Sequence, residues 1–96
     1  MHSVHFFVYG HVQGVFFRKF VVNEALMLSI TGYCRNRLDG SVEVLAEHAD
    51  REVLEILLSM CWRGPRMAEV IDVRANWDYS EKSEAEFVDF QTLPSE

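Results

Sequence analysis

A glycine-flanked stretch near the start of the chain, YGHVQGVFFRKF (residues 9–20), carries the residue types best suited to chemistry. Gly10 and Gly14 flank a short loop, and Arg18 and Lys19 follow it. Glycine lets backbone N–H groups approach a ligand closely, and arginine presents a planar fork of donors that suits a phosphate. Residues 1–22 contain no Asp or Glu. This pattern favours a site for a phosphate or carboxylate, although a structural loop beside a surface arginine would have the same composition.

The loop differs from two widespread phosphate-binding motifs. No Gly-Lys-Ser/Thr follows it, as in a Walker loop, and it does not match the dinucleotide motif GxGxxG. We expect an anion here to be bound by unpaired backbone N–H groups and by the positive end of a helix dipole.

The charge of the chain is unevenly distributed. The 96 residues carry a net charge of −6, and residues 78–96 hold six acids against one base, Lys82. A net negative charge argues against binding to a nucleic-acid backbone. The length predicts one domain, residues 1–96. The apolar runs are too short to span a membrane, and no secretory signal is recognisable. We therefore expect a cytoplasmic monomer without a membrane or nucleic-acid partner.

The cysteines and histidines give little sign of a metal site or of another cofactor. Cys34 and Cys61 form no CxxC pair and are interpreted as small buried hydrophobic residues, with a disulfide between them left open. The four histidines lack the spacing of metal ligands on one element.

Hydrophobic periodicity and turn residues predict the elements that must position the loop. Strands are expected at 3–10 and 68–77 and on both sides of the Asp39-Gly40 turn, with a short last strand in 85–93. Helices are expected over 17–28 and after Asp50, an N-cap residue, as far as the RGPR segment. In 42–47, the residues Val42, Val44 and Ala46 alternate with Glu43, Leu45 and Glu47, as in a sheet with one face on the core.

The order β-α-β-β-α-β, with a possible extra strand, predicts the α+β class. It corresponds to a ferredoxin-like split βαβ sandwich, an antiparallel sheet with two helices on one face. This fold hosts enzymes, RNA-binding modules and small-molecule sensors, so it does not determine a function.

Two long motifs resemble those of the acylphosphatase family. GHVQGVFFR (10–18) resembles its signature G-x-V-Q-G-V-x-F-R, and GYCRNRLDGSV (32–42) resembles G-[YFW]-x-x-N-x-x-D-G-x-[VI]. The GPR at 64–66 and the late FVDF are also similar to family features. The resemblance covers essentially the whole chain, and it implies the βαββαβ fold and a free-standing enzyme.

The resemblance also implies roles for individual residues. Arg18 matches the family's phosphate-binding arginine, and Asn36 matches its water-orienting asparagine. The segment whose backbone N–H groups hold the phosphate corresponds to His11, Val12, Gln13, Gly14, Val15, Phe16 and Phe17. The implied reaction is hydrolysis of an acyl phosphate to a carboxylate and inorganic phosphate, without metal or another cofactor.

The chain departs from the family pattern at three positions. Many relatives have Arg where His11 stands, a smaller residue in place of Phe16, and Gly in place of Ser29. Ser29 would destabilise the end of the first helix if that position requires a positive φ.

The residues in these motifs suit an activated phosphate. They include no general acid, no nucleophile paired with a base and no carboxylate cluster. A carboxylate leaving group, whose conjugate acid has a pKa of about 4 to 5, departs without protonation. Two alternatives remain at this point: a non-catalytic anion-binding module with the same loop, and an RNA-binding sheet, which would need a basic surface. Asn36 could also simply cap the turn at Asp39-Gly40.

Overall fold

Five strands form one sheet, and two helices pack on one of its faces in this computed structural model, which describes residues 1–96. The elements are β1 (His2–His11), α1 (Phe17–Met27), β2 (Thr31–Asn36), β3 (Val42–His48), α2 (Arg51–Arg63), β4 (Glu69–Tyr79) and β5 (Phe90–Thr92). The predicted order and the ferredoxin-like α+β class are confirmed. Neither helix is long and apolar enough to cross a membrane.

The strand order in the sheet is β4-β1-β3-β2-β5. The first four strands pair antiparallel, as expected, but β5 runs parallel to β2, so the sheet is mixed. Residues 80–89 leave β4 at one edge and cross to the other edge, and β5 then returns in the direction opposite to β4. The last strand is also shorter than predicted, because only Phe90–Thr92 of 85–93 pair with β2.

The core lies between the helices and the covered face of the sheet. Alternate side chains of β1, those of Val4, Phe6 and Val8, are fully buried there. The buried helix residues are Phe17, Val21 and Ala25 in α1 and Leu54, Leu57 and Cys61 in α2, and their spacing agrees with the hydrophobic periodicity that predicts the two helices. Cys34 and Cys61 are both buried and free, which confirms their interpretation as small core residues.

The start of α2 and the end of α1 both agree with what the sequence indicates. Asp50 caps α2, because its carboxylate accepts a hydrogen bond from the backbone N–H of Glu52 at 3.0 Å. Just after α1, Ser29 has φ 57°. That left-handed conformation favours glycine, so Ser29 carries the strain that its departure from the family pattern implied.

The alternation along β3 is present, but the face opposite the core is not fully solvated. Glu43 and Glu47 point away from the helices, and yet they are only 2% and 6% exposed. Side chains of β1 and β2 surround Glu43, and the segment 80–89 folds over Glu47. Periodicity identified the face correctly, but it could not show what covers that face.

Candidate active site

An open pocket of about 530 Å³ lies where the loop after β1, the start of α1 and the edge strands β2 and β5 meet. Arg18 and Asn36, the two predicted catalytic residues, both line it. The full lining consists of Val12, Gly14, Phe16, Phe17, Arg18, Lys19, Val22, Asn36 and Thr92. It contains two cations and no carboxylate, so its local charge is opposite to the net charge of the chain.

Packing of α1 against β2 brings Arg18 and Asn36 to the same pocket. Cys34 lies two residues before Asn36 on β2 and therefore faces the same side of the sheet. Its buried Sγ lies 3.8 Å from the carbonyl oxygen of Arg18, which places the first turn of α1 directly on the strand. Thr92 of β5 pairs with Cys34 and adds a wall to the pocket.

The two glycines that flank the loop serve different purposes. A Cβ on Gly10 would collide with the carbonyl oxygen of Glu69 on β4, so this glycine permits close strand approach at a β-bulge. Gly14 has φ 73°, lines the pocket, and has nothing within 4 Å of the place where a Cβ would stand. Only Gly14 therefore fits the expected role of opening the backbone to a ligand.

The backbone N–H groups from Val12 to Lys19 have no backbone acceptor. The first hydrogen bond of α1 runs from the N–H of Phe20 to the carbonyl of Phe16, and no side chain caps the helix. No acidic residue lies in the first turn. These free donors, together with the positive end of the helix dipole, favour an anion at this position.

Phe16 adopts an unusual backbone conformation at the pocket. Its φ of 64° is left-handed, which is a strained geometry for a bulky residue, and its side chain is 70% exposed. Burial of the ring therefore does not compensate for the strained backbone of Phe16. The conformation turns the chain from the loop into α1 directly beside the pocket.

The turn after β2 is stabilised by residues other than Asn36. The carboxylate of Asp39 accepts hydrogen bonds from the backbone N–H and hydroxyl of Ser41, at 3.0 and 2.6 Å. Gln13 donates from its side chain to the carbonyls of Arg37 and Ser41, at 2.8 and 2.9 Å. The carboxamide of Asn36 forms no hydrogen bond of this kind and lines the pocket instead. These contacts therefore do not support the alternative that Asn36 caps the turn at Asp39-Gly40.

Three residues of the expected phosphate-binding segment do not line the pocket. His11 is exposed at the end of β1, Val15 is 3% exposed in the core, and Gln13 reaches across to the β2–β3 turn. The pocket adds three residues that were not predicted: Lys19, Val22 and Thr92. Helical spacing from Arg18 could have indicated Val22. No local signal could have indicated Thr92, because its position depends on the parallel pairing of β5.

The thiol nearest the pocket is not poised as a nucleophile. Burial raises the pKa of Cys34 to about 11, although the hydrogen bond with Thr92 and the charge of Arg18 act in the opposite direction. The thiol is therefore protonated near neutral pH. No group of three or more His, Cys, Asp or Glu side chains in residues 1–96 is arranged to hold a metal ion.

Comparison with known proteins identifies the family. The family model for acylphosphatases matches residues 4–92. The chain belongs to the acylphosphatase family. This membership confirms the expectation, drawn from the two motifs, of a hydrolase of the acylphosphatase class.

Similar acylphosphatases are found among both curated sequences and solved structures. The acylphosphatase of Pelotomaculum thermopropionicum is 49% identical over 77 residues, which cover 79% of this chain and 83% of that protein. The crystal structure of acylphosphatase from Bacillus subtilis has a TM-score of 0.88 at 31% identity, covering 97% of this chain and 99% of that one. An acylphosphatase structure from Coxiella burnetii has a TM-score of 0.83 at 35% identity, covering 95% and 90%.

Proposed function

We propose that this acylphosphatase hydrolyses the carboxyl–phosphate bond of small acyl phosphates to a carboxylate and inorganic phosphate, without metal. The observation that carries the proposal is the composition of the pocket. It combines Arg18, free backbone N–H groups and the unpaired carboxamide of Asn36, and it contains no carboxylate. The positive charge needed for a phosphoryl group is thus supplied by the chain itself.

Arg18 and the N–H groups around Gly14 and the start of α1 bind the phosphoryl oxygens. The guanidinium can donate two parallel hydrogen bonds, and the loop amides donate from fixed positions. Phosphoryl transfer depends mainly on positioning and on stabilising charge over these oxygens. Donors that are already in place need no reorganisation when the transition state forms.

Asn36 orients the attacking water opposite the leaving carboxylate. As the bond from water oxygen to phosphorus forms, the bond from phosphorus to the acyl oxygen breaks, and its electron pair leaves with the carboxylate. The proton released by the water passes to a phosphoryl oxygen. The pocket lining contains no carboxyl, imidazole or thiol group to act as general acid, and a carboxylate leaving group requires none.

The test is hydrolysis of benzoyl phosphate by the purified protein in the presence of a metal chelator. We expect turnover that inorganic phosphate inhibits competitively. Arg18→Ala should lower kcat/KM by about 1,000-fold and Asn36→Ala should lower kcat by about 100-fold, as removal of a fixed donor does elsewhere. Arg74→Ala removes an exposed arginine on β4 outside the pocket and serves as the control, with activity unchanged.

Two results would overturn the proposal. Phosphate binding that depends on Arg18, without any turnover, would make the chain an anion-binding module. Turnover that survives both Arg18→Ala and Asn36→Ala would place the chemistry elsewhere in the chain.

We also propose that residues 1–96 act as one domain, as a monomer in the cytoplasm and without a nucleic-acid partner. Arg18 and Asn36 of the same chain meet in one pocket, so the proposed reaction needs no residue from a second copy, and the net charge is −6. The arginines on the face of the sheet away from the helices are each paired with a carboxylate: Arg35 and Arg37 with Glu43, and Arg74 with Asp72. Sedimentation of the active enzyme as a dimer would contradict the monomer, and a shift in its electrophoretic mobility on addition of RNA would contradict the absence of a nucleic-acid partner.

A further inference from the structure

Asn36 stands between two arginines that bind the same buried carboxylate. Nε of Arg35 and Nη1 of Arg37 lie 2.8 and 2.9 Å from Oε1 of Glu43 on β3, whose side chain is only 3% exposed. Successive residues of an extended chain point to opposite sides. Both arginines therefore lie on the face of the sheet away from the helices, while Asn36 points through to the pocket.

Glu43 is held by two further contacts. Nε2 of His5 lies 2.7 Å from its Oε2, and the hydroxyl of Tyr33 donates to the same atom at 3.2 Å. Burial alone would raise the pKa of Glu43, but the hydrogen bonds from Arg35, His5 and Arg37 outweigh burial and lower it to about 2. The carboxylate therefore stays charged and bound to both arginines throughout the neutral range.

The backbone beside Asn36 is also anchored from other directions. Gln13, in the loop that leads into the pocket, donates to the carbonyl of Arg37. The carbonyl of Asn36 accepts from the N–H of Glu96 at 2.9 Å. The carboxamide itself has no such contact, so these contacts hold in place only the backbone and the Cα–Cβ bond from which it extends.

We propose that Glu43 is a positioning residue for the reaction, because it holds the side chains of Arg35 and Arg37 and thereby fixes the backbone on both sides of Asn36. This inference rests on the proposed function. A carboxamide that must align water in line with a leaving group tolerates little displacement, since an error of about 1 Å can cost roughly 100-fold in rate. Glu43 acts from the opposite side of the sheet and touches neither substrate nor water.

The first experiment compares two buried glutamates of one strand. Glu43→Gln keeps the size of the side chain but removes the charge that holds both arginines. We expect kcat for benzoyl phosphate to fall roughly 10- to 100-fold, with KM and the inhibition constant of phosphate unchanged, because neither Arg18 nor the N–H groups of the loop contact Glu43. Glu47→Gln is the matched control: Glu47 is also buried on β3, but it binds Thr31 and the segment 80–89. Its kcat should equal that of the wild type.

A double variant distinguishes positioning from a general structural role. If Glu43 acts through Asn36, Glu43→Gln should lower kcat no further in a chain that already carries Asn36→Ala. Equal loss in both backgrounds would overturn the proposal, as would an unchanged kcat in folded Glu43→Gln or an equal loss in Glu47→Gln.

Two further measurements decide the matter if Glu43→Gln fails to fold or the wild type shows no turnover. Arg37→Gln removes one of the two arginine contacts at a side chain that is 37% exposed, and it should lower kcat severalfold at constant KM. The side-chain amide NMR signals of Asn36, assigned by their loss in Asn36→Ala, should be sharp in the wild type and exchange-broadened in Arg37→Gln. Signals that stay sharp would overturn the positioning role even in a chain without activity, whereas an inert wild type with the expected broadening would overturn only the proposed function.

Discussion

Two loops of this molecule present backbone N–H groups to an anion, but only one of them receives the anion from the chain itself. In the segment 80–89, the N–H groups of Glu86 and Phe87 donate to the buried carboxylate of Glu47, at 3.1 and 2.7 Å. In the loop from Val12 to Phe16 and at the start of α1, the N–H groups have no acceptor within the backbone. Backbone N–H groups thus stabilise the fold in the segment 80–89, whereas those before α1 remain available to a ligand.

The two loops also differ in charge: the segment 80–89 is acidic, and the loop before α1 is not. The segment 80–89 carries four acids and one base, and the anion that its N–H groups of Glu86 and Phe87 bind is an acid from elsewhere in the chain. The other loop has no acid and is followed by Arg18 and Lys19. An anion supplied by the chain neutralises the donors and stabilises the fold, whereas keeping acids away leaves the helix dipole and Arg18 uncompensated. Anion binding at the loop before α1 therefore depends on the absence of acidic residues as much as on the presence of Arg18 and Lys19.

Among the variants that test this contrast between the loops, the largest effect is expected from giving the open loop an anion of its own. Phe16→Asp places a carboxylate at the pocket in a left-handed position that Asp tolerates well. We expect the folded state to keep or gain stability, since an acid near a helix N-terminus is favourable. Repulsion of roughly 3 kcal/mol should weaken phosphate binding and kcat/KM by about 100-fold. Titration with phosphate and steady-state kinetics measure both quantities.

Phe16→Asn is the control for that substitution, because it has the same shape without the charge. If Phe16→Asn and Phe16→Asp lose phosphate affinity equally, the effect comes from the missing ring, and the contrast between the loops is not electrostatic.

The internal carboxylate of Glu43 should make the protein sensitive to acid. Its pKa of about 2 lies below its ordinary value of 4.5, so the unfolded chain binds the proton first as the pH falls. The contribution to the free energy of unfolding, on the order of 3 kcal/mol, is complete above pH 4.5 and is lost as the pH falls to about 2. Urea denaturation at several pH values should show that the free energy of unfolding depends less on pH in Glu43→Gln than in the wild type. Parallel profiles for the two proteins would contradict the assignment.

Removing the internal anion of the other loop should affect stability alone. Glu47→Gln leaves a weaker acceptor for Glu86 and Phe87 and should lower the free energy of unfolding by about 2 kcal/mol. Denaturant midpoints measure this loss, and Glu84→Gln, an exposed change in the same segment, should leave the midpoint unchanged. A fall in kcat of folded Glu47→Gln would show that the two loops are coupled.

The smallest effect concerns the other end of α1. Ser29→Gly relieves the left-handed strain at φ 57° and should raise the free energy of unfolding by about 1 kcal/mol, with unchanged activity. Ser59→Gly, in the exposed interior of α2, should lower it by about 0.5 kcal/mol. Thermal melts of both variants compare the two sites, and equal destabilisation would show that Ser29 is not strained.

Features that depend on neighbouring residues could be predicted from the sequence. The turn at Asp39-Gly40, the cap at Asp50 and the apolar stripe of α1 each arise within a few residues, and all three agree with the structure. The glycine loop and Arg18 belong to this group as well, because the loop leads directly into the helix.

Features that depend on distant strands could not be predicted in this way. The period of two in β3 assigned Glu43 and Glu47 to the face away from the core, but their burial results from side chains of other strands and from the segment 80–89. The parallel direction of β5, and with it the place of Thr92 in the pocket, depends on how 80–89 crosses the sheet. Asn36 was indicated by a motif, while the pocket that it lines required the packing of α1 on β2.

The interior position of β1 in the sheet, between β4 and β3, also determines when the site can form. β1 pairs with β3, which begins at Val42, and with β4, which extends to Tyr79. Both pairings close long stretches of chain before any contact compensates the lost entropy. Folding should therefore be slow for a chain of this length. On the ribosome, β1 can pair with both of its neighbours only after β4 is synthesised, and the wall that β5 contributes forms after that, so the pocket exists only in a chain that has completed its folding.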